Sequence, residues 1–313
     1  MEQHNTVDRA PEYRAVFFDL DGTLLPMDIE EFMGAYMSKL GGFAAAHGAD
    51  PQAFGAGMKA GIKAMARHSG DITNEQAFFD AFYDCVGKDS LDWPALLADF
   101  YENHFPSIGE GVVPNPAAAT AVKTLAEKGY TLLLTTMPMF PLAAVKARLA
   151  WAGVDPSLFS RITTFENSSS IKPNLTYFAE NLAACGLRGS DVLMVGNNTV
   201  EDLAALDMGT DGYLVTDCMI DAVGYDLSKV KHGSMAEFAA WVETLPACEH
   251  PANRVETTAV SWPRVEKAYG ANVLFHRDEK EMQRIAASAY KPMKPLKPAA
   301  PSMPTRPGTS KEN

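Results

Sequence analysis

The run Ala15-Val-Phe-Phe18, followed at once by Asp19-Leu-Asp-Gly-Thr23, constrains the fold more than any other part of the chain. Its consecutive apolar, β-branched and aromatic residues lack the alternation of a half-exposed strand. They predict a strand buried on both faces of a parallel sheet. In α/β proteins such strands end where the chemistry is done. Asp19 and Asp21 are two apart, so an extended backbone points both carboxylates the same way, and Gly22 lets the chain turn away. Two acids held that close call for a cation or a shared proton.

Composition sets the bounds. With 313 residues, 47% of them apolar and 10% aromatic, the chain can bury one large or two medium cores. A net charge of −12 argues against a nucleic-acid surface, since phosphate backbones are held by lysine and arginine. A small anionic substrate remains compatible with that charge if a metal supplies positive charge locally. No apolar run approaches the roughly 20 residues that cross a bilayer, and the N-terminus has no signal-peptide pattern, so no membrane partner and a cytoplasmic location are expected. Cys85, Cys185, Cys218 and Cys248 are widely spaced and suggest neither a disulfide framework nor a zinc site.

From Met27 to Val112 the pattern is helical throughout. Ile29, Phe32, Met33, Tyr36, Met37 and Leu40 recur at helical spacing, as do Phe54, Met58, Ile62 and Met65, then Phe78, Phe82 and Val86. Thr73 with Gln76 predicts a capping box for the third group. The run Gly55-Ala-Gly-Met-Lys-Ala-Gly61 lacks both the spacing and the preceding strand of a dinucleotide fingerprint. A helical insert placed directly after a catalytic strand would sit over the site as a lid, where Lys59, Lys63, Arg67 and His68 are candidate substrate contacts as well as ordinary surface residues. From Val113 the pattern alternates. Helices are expected at 116–128, 142–152, 174–185, 200–206 and 237–245, and strands at 130–136, 161–164, 191–195 and 212–216. A further helix is expected at 278–289, and beyond it prolines at 292, 295, 298, 301, 304 and 307 have the polyproline II period of a stiff, disordered tail.

The stretch Asp19-Leu-Asp-Gly-Thr-Leu24 resembles the first motif of the haloacid dehalogenase (HAD) superfamily, whose members are mostly Mg²⁺-dependent phosphohydrolases. Three further motifs follow in order, and the resemblance spans Arg14 to Leu245. It implies an α/β fold: a HAD-like Rossmannoid three-layer core with a parallel sheet, formed by residues 1–26 and 113–247, plus an α-helical cap at 27–112. Residues 248–290 would be a C-terminal extension and 291–313 a Lys/Pro-rich tail. Leu132-Leu-Leu-Thr-Thr136 resembles the second motif, in which a strand-end hydroxyl meets the transferring phosphoryl group; Thr136 fits that place better than Thr135, and Met137 stands where the family usually has Asn. Ser170-Ile-Lys-Pro-Asn174 resembles the third, with Lys172 aimed at the phosphate and Pro173 opening a helix. Met194-Val-Gly-Asn-Asn-Thr-Val-Glu-Asp202 sits where the fourth belongs, but that motif normally begins Gly-Asp, and here Asn197, or Asn198 on a shifted alignment, offers an amide oxygen in place of a carboxylate.

By this resemblance Asp19 is the nucleophile, Asp21 the general acid and base, Lys172 and Thr136 the groups that stabilise the transferring phosphoryl, and Asp19, Asp21 (by its main-chain carbonyl), Asn197 and Asp202 the ligands of Mg²⁺. The expected substrate is a small phosphorylated metabolite. A phosphomutase would use the same groups, and a non-catalytic binding protein that kept the fold is the alternative raised by Asn197 and Asn198.

Overall fold

The computed structural model describes residues 12–68 and 72–269. Six strands form one sheet: β1 (Ala15–Phe18), β2 (Thr131–Leu134), β3 (Arg161–Ile162), β4 (Val192–Gly196), β5 (Asp211–Val215) and β6 (Lys231–Gly233). Every pairing is parallel and the order is β3-β2-β1-β4-β5-β6. This is the doubly wound order. The winding reverses at β1, between β2 and β4, and opens a crevice beyond the carboxyl ends of those strands. Asp19 follows β1 directly, Thr135 and Thr136 follow β2, and Asn197 follows β4.

The strands are buried because helices cover both faces. On one face lie α5 (Pro116–Glu127), α6 (Leu142–Trp151) and α8 (Met235–Thr244), packed on Val16, Phe18, Leu132, Leu134, Leu193 and Val195. On the other, α7 (Leu175–Cys185) packs against Ala15, Phe17, Leu133, Val192 and Met194 through Tyr177, Phe178 and Leu182. Alternate residues of β1 thus enter different cores, which explains its unbroken apolar run. The three-layer α/β expectation holds.

Between β1 and β2 run α1 (Ile29–Ala46), α2 (Pro51–Met65), α3 (Asn74–Val86) and α4 (Trp93–Asp99), continued by a π turn (Phe100–His104) and a 3₁₀ turn (Phe105–Gly109). Their own core gathers Phe32, Tyr36, Phe54, Phe78, Phe82, Trp93, Phe100 and Phe105, and includes Ala144 and Phe165 from the sheet-bearing part. The predicted capping box at Thr73 and Gln76 is present in both directions. The glycine run on α2 is a packing device. A Cβ at Gly57 would lie 2.8 Å from the Phe82 ring, and one at Gly61 would overlap Phe78, so small residues let α2 and α3 approach closely.

Two expectations are corrected. Residues 200–206 do not form an α-helix: the chain turns at Thr199–Asp202 and then makes a 3₁₀ helix, Leu203–Met208. Pro173 does not open α7, which begins at Leu175 with Asn174 as its cap. The segment after α8 is tied to the body by main-chain bonds. Buried Arg161 donates to the carbonyls of Glu256 and Thr258 at 2.7 and 2.9 Å, and α9 (Trp262–Tyr269) packs on α7 through Val265. The helix expected at 278–289 and the proline-rich tail lie outside the described residues. Among those residues no helix is long and apolar enough to cross a membrane.

Candidate active site

The Asp19 N–H donates to Val195 O at 2.9 Å, so the first acid is fixed against β4 as well as β1. The chain then folds back on itself, with Thr23 and Leu25 both donating to Leu20 O at 3.2 and 2.9 Å. Gly22 makes this turn with φ +83°, and a Cβ there would overlap the Asn197 carboxamide. A residue other than glycine would be strained in conformation and would also displace Asn197.

Lys172 lies between two carboxylates. Its ammonium donates to Asp19 Oδ1 at 2.7 Å and to Asp202 Oδ1 at 2.6 Å, with the lysine only 1% exposed. Burial alone would lower the lysine pKa, but Asp19 and Asp202 together outweigh it, so the net shift is upward and the ammonium stays charged. Asp202 Oδ2 accepts the main-chain N–H groups of Asn197 and Asn198, both at 3.0 Å. Burial raises the Asp202 pKa, and Lys172 opposes that rise.

Lys172 takes one of the Asp202 oxygens and two N–H groups take the other, so Asp202 anchors the lysine and the loop after β4. Asn197 and Asn198 also separate cleanly. Asn198 Oδ1 caps the following turn by accepting from the N–H groups of Val200 and Glu201 at 3.0 and 3.1 Å. Asn197 donates from Nδ2 to Cys218 O at 2.6 Å, which directs its Oδ1 to the Thr23 hydroxyl at 3.1 Å.

Asp21 is brought beside Asp19, and its carboxylate forms an ion pair with Arg148 of α6. Burial raises the Asp21 pKa; Arg148 works against the rise and Asp19 adds to it. Thr135 is spent inside the sheet, donating to Phe18 O at 3.2 Å, whereas the buried Thr136 hydroxyl makes no close hydrogen bond and faces the Asp21 carboxylate, whose pKa it lowers. Lys59, Lys63 and Arg67 are exposed, and His68 pairs with Asn74 Oδ1 at 2.6 Å. Asn74 in turn donates to the carbonyls of Pro138 and Ser170 at 3.0 and 3.1 Å, tying the start of α3 to the loops that carry Thr136 and Lys172.

Arg148 belongs to none of the sequence motifs. A signal was present: Ala144, Val145, Arg148 and Leu149 form the buried stripe of α6, so helical periodicity places Arg148 on the apolar face, where a charge needs a partner.

Metal ligation can be tested on the donors. Among the described residues no three His, Cys, Asp or Glu side chains converge as a ligand set. What converges is Asp19 Oδ2 and Asn197 Oδ1, both 3.1 Å from the one Thr23 hydroxyl, whose single proton cannot serve both. These two oxygens fit a hard divalent cation held by one carboxylate, and so held weakly.

Glu201 is pushed up to about 7 by burial first and the Asp202 carboxylate second, with Lys172 opposing. A carboxyl whose folded pKa is raised binds its proton more tightly in the folded state. Its contribution to stability falls as pH rises from the unfolded value near 4.3 through 7. Glu201→Gln is therefore expected to stabilise the metal-free protein by roughly 1–2 kcal/mol at pH 8 after allowance for partial exposure, and to change little at pH 4. Melting curves at the two pH values check this; a loss at pH 8 would contradict it.

Comparison with known proteins agrees with this architecture. No curated protein matches the chain. Among solved structures, a 2-haloacid dehalogenase from Pseudomonas syringae pv. Tomato DC3000 is similar at 18% identity and TM-score 0.50, covering 74% of this chain and 98% of that one. An HAD phosphatase from Thermococcus onnurineus is similar at 19% identity and TM-score 0.47, covering 73% of this chain and 97% of that one. At such identities the likeness concerns fold alone. The haloacid dehalogenase-like hydrolase family model matches residues 13–208, more than half the chain, and the protein belongs to that family of hydrolases.

Proposed function

We propose that the protein is a Mg²⁺-dependent phosphohydrolase that cleaves a small phosphate monoester through an aspartyl-phosphate intermediate. The observation that carries this reading is the second acid. Asp21 lies beside Asp19 with its pKa raised by burial, which suits a proton donor to an alkoxide leaving group. Displacement of a halide needs a carboxylate nucleophile and no proton donor, so a buried Asp21 would be an unexplained cost in a dehalogenase.

Asp19 Oδ1 attacks phosphorus while Asp21 protonates the departing oxygen; Asp21 then takes a proton from the water that hydrolyses the acyl phosphate. Lys172 uses two of its three N–H donors on Asp19 and Asp202, and the third is available to a phosphoryl oxygen. The Thr136 hydroxyl, which makes no close hydrogen bond, donates to another. Asp19 Oδ2, Asn197 Oδ1 and the Asp21 carbonyl would hold Mg²⁺, which when bound supplies positive charge to the phosphoryl oxygens. Charge balance favours such an ion: with Asp21 protonated, Asp19 and Asp202 balance Lys172 and Arg148 before a phosphate dianion enters, and the dianion then calls for a further cation. The helices α1 to α4 act as the cap, and the free thiols of all four cysteines suit a cytosolic setting.

A screen of phosphate monoesters with and without Mg²⁺ tests the reading. Phosphate release is expected only with Mg²⁺, at a high half-saturating concentration, and release to water separates a phosphatase from a phosphomutase. Asn197→Asp restores a charged ligand and is expected to lower that concentration about tenfold, the equivalent of about 1.4 kcal/mol. A Mg²⁺ dependence indifferent to Asn197→Asp would remove Asn197 from the metal site.

A further inference from the structure

Glu180 and Arg161 are both only 1% exposed, and neither takes part in the chemistry above. Each bonds two separate segments. Glu180 Oε2 accepts the Ser169 N–H at 3.0 Å and the Ser169 hydroxyl at 3.2 Å, while Oε1 accepts the Val260 N–H at 3.4 Å. Arg161 donates from Nη2 to Asn167 O at 2.8 Å and from Nη1 to the carbonyls of Glu256 and Thr258. Asn167 adds a third crosslink, with Nδ2 donating to Thr257 O at 3.0 Å. On one side of these bonds lies the loop 167–172, which ends at the buried Lys172. On the other lies the segment 256–260, beyond the residues 13–208 that the family model matches. Burial is costly for both charges, and each compensates the other.

The segment is itself anchored away from the site. Glu256 donates its N–H to Ala184 O at 3.0 Å, Val260 and Val265 pack on Ala179, Ala183 and Ala184 of α7, and Arg264 pairs with Glu256. Asn74 holds the loop 167–172 from the cap side, through Ser168 O and Ser170 O. The two ties together leave the loop little freedom. Lys172 has to meet Asp19, Asp202 and a phosphoryl oxygen at once, and a misplacement of about 1 Å costs a catalytic group about a hundredfold in rate. Slack in the loop therefore reaches the reacting atoms. Resting on the phosphohydrolase reading above for its effect on turnover, we infer that residues 256–265 form a strap that positions the Lys172 loop. Glu180, which joins strap to loop, is a positioning residue that acts through Lys172 and touches no substrate.

The test uses the full chain and two variants that leave the site residues unchanged. V265D expels α9 from its seat on α7, and E180Q removes one acceptor oxygen, so that either Ser169 or Val260 loses its partner. Hydrogen exchange of the metal-free, substrate-free protein, read by mass spectrometry, is expected to quicken about tenfold or more across 167–172 in both variants, with α1 and β1 at wild-type rates. In turnover of a phosphate monoester with Mg²⁺, kcat is expected to fall about tenfold or more with KM changed less than about twofold, because lost alignment is felt at the transition state. The double variant E180Q/V265D should be no slower than the slower single one, since both changes break one tie. If E180Q fails to fold, V265D decides alone. Faster exchange confined to 248–269 in V265D, or losses in kcat that multiply in the double variant, would overturn the inference. If no phosphoester is turned over but exchange quickens across 167–172 in V265D, the phosphohydrolase reading fails and the strap stands.

Discussion

Replacing Lys172 by methionine is expected to destabilise the protein by about 3–5 kcal/mol, the usual cost of removing one partner from a buried ion pair. The side chain is buried and its ammonium is the direct partner of both Asp19 and Asp202. Methionine fills much of the volume, so the loss is electrostatic: two buried carboxylates would face each other without a cation. In the wild type the folded pKa of Lys172 is raised, so its contribution is fully present below the unfolded lysine value near 10.4 and is lost only as pH climbs through the folded value. In the methionine variant the unpaired carboxylates would be protonated more readily than in the unfolded chain. Its stability should therefore recover as pH falls from 8 toward 5. A second change, Asp202→Asn, should restore part of the loss at pH 8 by removing one of the two charges. Denaturant unfolding of the single and double variants at both pH values measures this; a single variant as stable as the wild type at pH 8 would show that Lys172 does not hold the site together.

The sheet was legible because its strands carry the simplest signal a sequence has. β1, β2 and β4 are apolar runs, with Thr131 opening β2, that stop at polar residues, and each lies where that stop predicts to within about two residues. β6 gave no such signal: Lys231, His232 and Gly233 form an edge strand whose pairing with β5 comes from the main chain. From sequence the 3₁₀ segment after Asp202 reads as a helix, since Leu203, Ala204 and Ala205 are buried in either geometry and composition does not separate the two. The tie between Arg161 and the carbonyls of Glu256 and Thr258 was invisible for the same reason that Arg148 was missed. A buried cation is the exception among charged residues, and its partner is supplied by tertiary structure. In the site, residue types pointed to Asp19, Asp21, Thr136 and Lys172, all of which gather at the carboxyl ends of β1 and β2. What the spacing could not tell was that Asp202 faces the lysine, and that Asn197 and not Asn198 turns its oxygen inward.

Asp19→Asn is expected to lower turnover by about four orders of magnitude or more while leaving the fold intact. The amide keeps the size of the side chain and its single oxygen can still accept from Lys172, but it has no charged oxygen to attack phosphorus. Lys172 retains Asp202, so the stability loss should be small beside that of the lysine variant. The most direct measurement of the account is acid-quenched mass spectrometry of the peptide carrying Asp19, taken during steady turnover of a phosphate monoester with saturating Mg²⁺. A phosphoryl adduct on Asp19 that decays as phosphate is released, and that is absent from Asp19→Asn, is the predicted result. Phosphate release with no adduct on that peptide, or release by Asp19→Asn at the wild-type rate, would contradict it.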